Sequence, residues 1–187
     1  MQKPIPPTPF CYNLKKVKAI VLGADPSNFT DNGKTRILTK AFGIGDGDAR
    51  YFQGILKNLK EVGLGLEDIY VDNLIQSYLD FESSDYKLWE PVARKNIPDC
   101  LSRLDSIDKE RKLPVFLTAE VLYKVIINIQ LLSAAQLYTQ PELIPLPAES
   151  NELKRPLIPF YRHQDYSMLI QKWNLYRLRI MDFLASN

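Results

Sequence analysis

Apolar positions in this chain fall into short, continuous runs separated by longer segments of helical period. The first run, Ala19, Ile20, Val21 and Leu22, stops at Gly23 and is followed at once by Asp25 and Pro26. A run so short, bounded by turn residues, predicts a buried parallel strand rather than a helix. Similar runs at residues 69–75, 114–118 and 157–161 predict three more strands. Between them, Tyr51, Phe52, Ile55, Leu56, Leu59 and Val62 recur at helical spacing behind Asp48, a residue suited to an N-cap, and Gly63 and Gly65 end the segment. A helix is predicted from Trp89, with Val92, Ile97, Cys100, Leu101 and Leu104 inward and Pro98 expected to kink or break it. Residues 119–132 read as a largely apolar helix. Residues 166–184 read as a last helix with Leu169, Trp173, Tyr176, Ile180 and Phe183 on one face. Strands alternating with helices specify an α/β domain with a mostly parallel, four-stranded sheet.

The segments outside this pattern carry their own signals. Residues 1–16 hold Pro4, Pro6, Pro7 and Pro9, which rule out a regular helix and predict an extended arm before a domain at 17–187. Residues 27–34 are rich in turn chemistry, and Gly43, Gly45 and Gly47 imply a tight path after Phe42. Residues 139–159, with five prolines, predict a long ordered loop; Pro159 places the fourth strand at an edge or a bulge. Polar groups mark three of the strands at or near their exits: Asp25 after the first, Asn73 within the second, and His163, the only histidine, after the fourth. In open α/β sheets ligands bind at the carboxyl ends of the strands. Pro26 adds to the case by disfavouring the α region for Asp25, so the chain leaves the sheet sharply with a carboxylate at its exit. A buried Asn must have its amide satisfied, so Asn73 either bonds neighbouring backbone or faces a ligand.

Composition changes this picture little. The 187 residues favour one domain with a substantial core, and 45% hydrophobic with 25% charged residues is ordinary for a soluble globular protein. A formal charge of +2 announces no global attraction to nucleic acid and leaves a local basic patch open. Cys11 and Cys100 have no metal-ligand spacing and suggest no disulfide framework, which fits a reducing compartment. No run approaches about 20 apolar residues and no signal peptide opens the chain, so a soluble, intracellular (cytoplasmic) protein without membrane contact is expected. A phosphate-cradling Gly-rich loop with its Lys is lacking, as are clustered metal ligands, which argues against nucleotide hydrolysis and metalloenzyme chemistry.

One ordered set of motifs goes further. Gly23-Ala24-Asp25-Pro26 closes the first strand, Phe42 stands beside small residues, and Asn73 sits in the apolar strand at 71–75. Trp89-Glu90 opens the next helix, a strand follows at 115–118, and Tyr161-Arg162-His163 precedes the final helix. In this order, across residues 17–184, the chain resembles the uracil-DNA glycosylase superfamily. The resemblance implies a single-domain, three-layer α/β/α fold. It also implies a base-excision enzyme that hydrolyses the N-glycosidic bond of uracil or a related damaged base. Its partner would be DNA containing that base, with the protein a monomer and no cofactor or metal required.

The resemblance also assigns roles. Breaking the bond produces an oxocarbenium-like sugar and an anionic base. Asp25 would stabilise the cation and orient water, while His163 would donate to the base oxygen. Phe42 would stack on a flipped base and Asn73 would read its polar edge, with Gly23 and Ala24 contributing to the base pocket. From their position, backbone or hydroxyl groups around Ser27 and Asn28 would contact the DNA phosphates, and Tyr166 is the residue of the last loop that could act as the DNA wedge. Ser27 replaces the aromatic residue that follows Asp-Pro in the best-known branch. The family's His-Pro-Ser-Pro loop is replaced by His163-Gln164-Asp165-Tyr166, which puts a negative charge where phosphate would pass. Two alternatives therefore stay open. One is a member of this fold that binds a nucleobase, nucleic acid or protein partner without cleavage; the other is a doubly wound domain of unrelated function.

Overall fold

The computed structural model describes residues 4–27, 36–46, 50–161 and 170–187. Its core is a five-stranded, mostly parallel sheet in a mixed α/β fold. Strands β2 (Ala19–Gly23), β3 (Ile69–Asn73), β4 (Val115–Leu117) and β5 (Leu157–Pro159) are the four that the apolar runs predict. They run parallel, β2 lying between β3 and β4, with β5 beyond β4. Every residue of these four strands is buried, whichever way the pleat turns it. This explains why the strands read as continuous apolar runs and not as alternating ones. As Pro159 requires, β5 lies at the end of the strand order.

The fifth strand is a correction to the four expected. Phe10–Cys11, within the arm, forms β1 and pairs antiparallel with Val71 and Tyr70 at the free edge of β3. Two residues carry no periodicity, so the pattern could not reveal it; they lie just past the last proline of the arm, where backbone N–H groups become available for a ladder. The arm also grips the chain further on. Thr8 N–H donates to the Thr39 carbonyl at 3.0 Å, and its own carbonyl accepts from Ala41 N–H at 2.9 Å.

The helices follow the predicted faces with shifted ends. Helix α1 (Arg50–Glu61) buries Phe52, Ile55, Leu56 and Leu59; Asp48 lies outside the described residues. Helix α2 (Tyr86–Ile107) starts earlier than predicted and runs unbroken through Pro91 and Pro98. Its buried stripe of Trp89, Ala93, Ile97, Cys100 and Leu104 has the spacing of one helix face, and that packing outweighs the backbone bonds the prolines forgo. The helix expected over 119–132 stops early, as α3 (Glu120–Ile126). Beyond it Ile127 bridges Asn151 and Asn128 N–H donates to the Ser150 carbonyl. A short helix that the pattern missed, α4 (Ala134–Thr139), opens on a capping box between Ser133 and Gln136. Helix α5 (Ile170–Ser186) buries Tyr176 and Ile180, while Leu169 lies outside the described residues.

The segment 139–159 is held by specific bonds. Buried Asn151 donates to the carbonyls of Pro147 and Arg155 and accepts from Leu153 N–H. Fully buried Arg155 pairs with Asp105 at 2.8 Å and also with Asp108. Among the described residues no helix is long and apolar enough to cross a membrane.

Candidate functional site

The carboxyl ends of β2, β3 and β4 open onto one pocket of about 190 Å³. Gly23, Ala24, Asp25 and Ser27 line it from the exit of β2, Asn73 from the end of β3 and Ala119 from just past β4. Phe42 closes a further side. These residues come from well-separated parts of the chain, and the parallel sheet brings them together because strands that run the same way end on the same side.

Gly23 is the floor. A Cβ placed there would lie 2.6 and 2.8 Å from ring atoms of Phe42 and would overlap Asn73 Oδ1. Only a residue without a side chain lets both groups approach the backbone this closely. Phe42 reaches this place through an uncommon backbone, φ 59° and ψ 10°, inside a short turn of 3-10 helix over Ala41–Gly43. A non-glycine residue in this left-handed region stores about 1–3 kcal/mol and persists only where its surroundings hold it. Here the ring of Phe52 supports that of Phe42 at 5.5 Å, and Tyr78 accepts from Leu38 N–H at 2.7 Å. The arm holds the same stretch through Thr8.

Asn73 is 4% exposed, and its side-chain amide makes no hydrogen bond among the described residues while lining the pocket. Its neighbour Asp72 is the opposite case. As adjacent strand residues they point to opposite faces of the sheet. Asp72, 1% exposed, pairs with Arg103 Nε at 3.0 Å and accepts from Asn73 N–H at 2.8 Å. Arg103 Nη2 also donates to the Asn73 carbonyl at 2.8 Å. The second strand's two polar residues thus divide: Asp72 is satisfied by side chain and backbone, whereas the amide of Asn73 is left to whatever occupies the pocket.

Asp25 is half-buried, and each of its oxygens accepts a bond: Oδ1 from Ser27 N–H at 2.9 Å and Oδ2 from the Trp89 indole N–H at 2.9 Å. Burial pushes its carboxyl above the ordinary carboxylate range, and the bonds from Ser27 and Trp89 partly offset that. Ser27 Oγ is itself engaged, accepting from Leu79 N–H at 2.7 Å, so it ties the β2 exit to the loop before α2. The pocket thus brings a carboxylate with a raised pKa together with an apolar ring and an amide that makes no hydrogen bond among the described residues.

Of the residues singled out from the sequence, Gly23, Ala24, Asp25, Ser27, Phe42 and Asn73 share this pocket. Asn28, His163 and Tyr166 lie outside the described residues. Sequence reasoning missed Arg36, Leu38, Ser83 and Ala119, which also line it. Ala119 could have been found, since it follows the third parallel strand as Asp25 follows the first. Ser83 and Arg36 sit in loops that carry no pattern. Comparison with models of known protein families finds none that matches the chain, and no curated protein matches it either.

Proposed function

We propose that this protein is a base-excision glycosylase of the uracil-DNA glycosylase kind, hydrolysing the N-glycosidic bond of uracil or a related damaged base flipped out of DNA. One observation carries the reading: over the bare floor of Gly23 an aromatic ring and an unengaged amide meet beside a half-buried carboxylate. A ring offers a stacking surface, an amide offers one donor and one acceptor edge, and a carboxylate faces the bond to be broken. A planar heterocycle joined to a sugar uses all three. The sheet buried on both faces fits the three-layer α/β/α arrangement that the resemblance implies.

In this mechanism Phe42 stacks on the base and Asn73 reads its polar edge. Asp25, ionised, stabilises the oxocarbenium-like sugar and orients the attacking water. His163, by resemblance, donates to the base oxygen as negative charge develops there, a contribution of about 10²–10³ in rate. The test is incubation with single- and double-stranded oligonucleotides carrying uracil or other deaminated bases, followed by alkaline cleavage of abasic sites. Strand breaks are expected, and Asp25→Asn and His163→Ala should each reduce them strongly with the fold intact. No breaks with any deaminated base would overturn the reading. That result would favour a binding-only member of the fold, to which Asp165 points, because a carboxylate there repels the phosphate backbone.

A further inference from the structure

Asp25 lines the pocket from a loop just past a strand, and a carboxylate on one Cβ is free to swing unless something holds it. Two donors do. Ser27 N–H holds Oδ1 through a tight local turn. The second donor comes from 64 residues away: Trp89 Nε1–H meets Oδ2 at 2.9 Å. Trp89 is 0% exposed and stands at the head of the buried stripe of α2, and its bond to Asp25 places it at the exit of β2. Its indole cannot move without opening the core, so its N–H is a fixed point in space.

We propose that Trp89 is a positioning residue for Asp25: its immobile indole N–H fixes the rotation of the carboxylate that lines the pocket. The role in catalysis rests on the glycosylase reading; the coupling between the two side chains does not. Each oxygen accepts one N–H, and the Ser27 hydroxyl adds a bond of its own, so the carboxylate is held from both ends. The bond also favours the ionised form, working against burial, so the group is a carboxylate under conditions where an isolated buried acid would hold its proton. Arg36 is the other charged side chain on the described part of the pocket wall.

The test uses both the native protein and a variant. The chain has two tryptophans, and the second, Trp173, donates to Glu61 Oε2 at 2.7 Å, which gives an internal reference. In a ¹⁵N–¹H spectrum, assigned with Trp173→Phe, the Trp89 indole signal should move with pH. Asp25→Asn should abolish that movement and leave the Trp173 signal in place. A Trp89 signal indifferent to Asp25→Asn would overturn the proposal. On catalysis, Trp89→Phe keeps an aromatic ring and removes the donor. It should move the acid limb of kcat/KM to higher pH and lower kcat more than it raises KM. A limb that stays in place in folded Trp89→Phe would overturn it as well. If the native protein releases no base, the glycosylase reading fails and the indole titration alone decides the positioning claim.

Discussion

The close approach at Gly23 makes Gly23→Ala the most informative single change. The added methyl group would lie 2.6 and 2.8 Å from Phe42 ring atoms and would overlap Asn73 Oδ1, so at least two side chains must give way. Neither has room behind it. Phe42 is backed by Phe52 at 5.5 Å and is already in a left-handed backbone. The Asn73 backbone is held by the β2–β3 ladder and by Arg103. The direction left open is into the pocket, where both would enter the space a base would fill. Overpacking of this kind costs about 1–3 kcal/mol. At about 2–4 °C per kcal/mol for a chain of this size, the melting temperature should fall by roughly 2–12 °C. The effect on turnover should be much larger, on the order of 10²-fold in kcat/KM, because displacement of about 1 Å at a reacting centre costs that much.

Gly63→Ala supplies the control. Gly63 has φ +81° and no atom within 4 Å of an added Cβ, so alanine there costs about 1–2 kcal/mol of backbone strain and touches nothing in the pocket. The pair is read by thermal melts together with base release from uracil-containing DNA. Gly63→Ala should lose stability and keep native kcat/KM, while Gly23→Ala should lose activity out of proportion to its stability. If the two variants showed the same activity at the same loss of melting temperature, Phe42 and Asn73 would not be the groups that hold the substrate over Gly23.

Other consequences are more local. Arg103→Met strips a buried carboxylate, Asp72, of its ion pair and should destabilise the fold by about 3–5 kcal/mol in urea melts; a loss below about 1 kcal/mol would show the pair to be incidental. The raised pKa of Asp25 places the acid limb of kcat/KM above the ordinary value of about 3.9, so activity should grow with pH through that limb; a limb at or below about 3.9 would contradict an essential ionised Asp25. Asp105 is held below the ordinary carboxylate range, first by its bond to Arg111 and then with help from Arg155. Its contribution to stability is present above about pH 3.9 and lost as pH falls through its lowered pKa, so Arg111→Gln should be less stable than the native protein near neutrality and converge with it in strong acid, as measured by urea midpoints across pH 2–7.

How much of this was legible in the chain depended on the length scale of each signal. The four parallel strands announce themselves because strands buried on both faces are apolar throughout. Strand β1 does not, because two residues make no pattern, and its existence depends on the free edge of a strand 60 residues later. Pro98 shows a related limit: local propensity predicts a kink or a break, and of the two a break does not occur, because a buried stripe from Trp89 to Leu104 keeps α2 continuous. The end of α3 at Ile126 was set by Asn151 and Ser150, which no local window contains. In the pocket, Asp25 and Asn73 were legible as polar residues at strand ends. The reach of Trp89 to Asp25 was not, since a fully buried Trp in a helix stripe looks in sequence like any core residue.

The two polar residues that end β3 show why burial alone does not identify function. Asp72 and Asn73 are adjacent and nearly equally buried, and both cost free energy to place in a core. The period of two sends them to opposite faces, and the faces differ in what they offer. On one side Arg103 and Gln76 complete the Asp72 carboxylate with side-chain donors from within the fold. On the other, Asn73 is pressed against a glycine and a phenylalanine that offer its amide neither a donor nor an acceptor through their side chains. A fold that needed only stability has no use for an amide there, since the Asn73 side chain opens onto the pocket and makes no hydrogen bond among the described residues. Arg103 sharpens the point, because it spends one of its donors on the Asn73 carbonyl and so anchors the residue whose side chain is left unengaged. The open amide and the anchoring make sense together if a ligand with its own donor and acceptor completes the amide. Asn73→Leu should therefore hold or raise the melting temperature while abolishing base release. A variant that lost stability in step with activity would place Asn73 among the structural residues, beside Asp72.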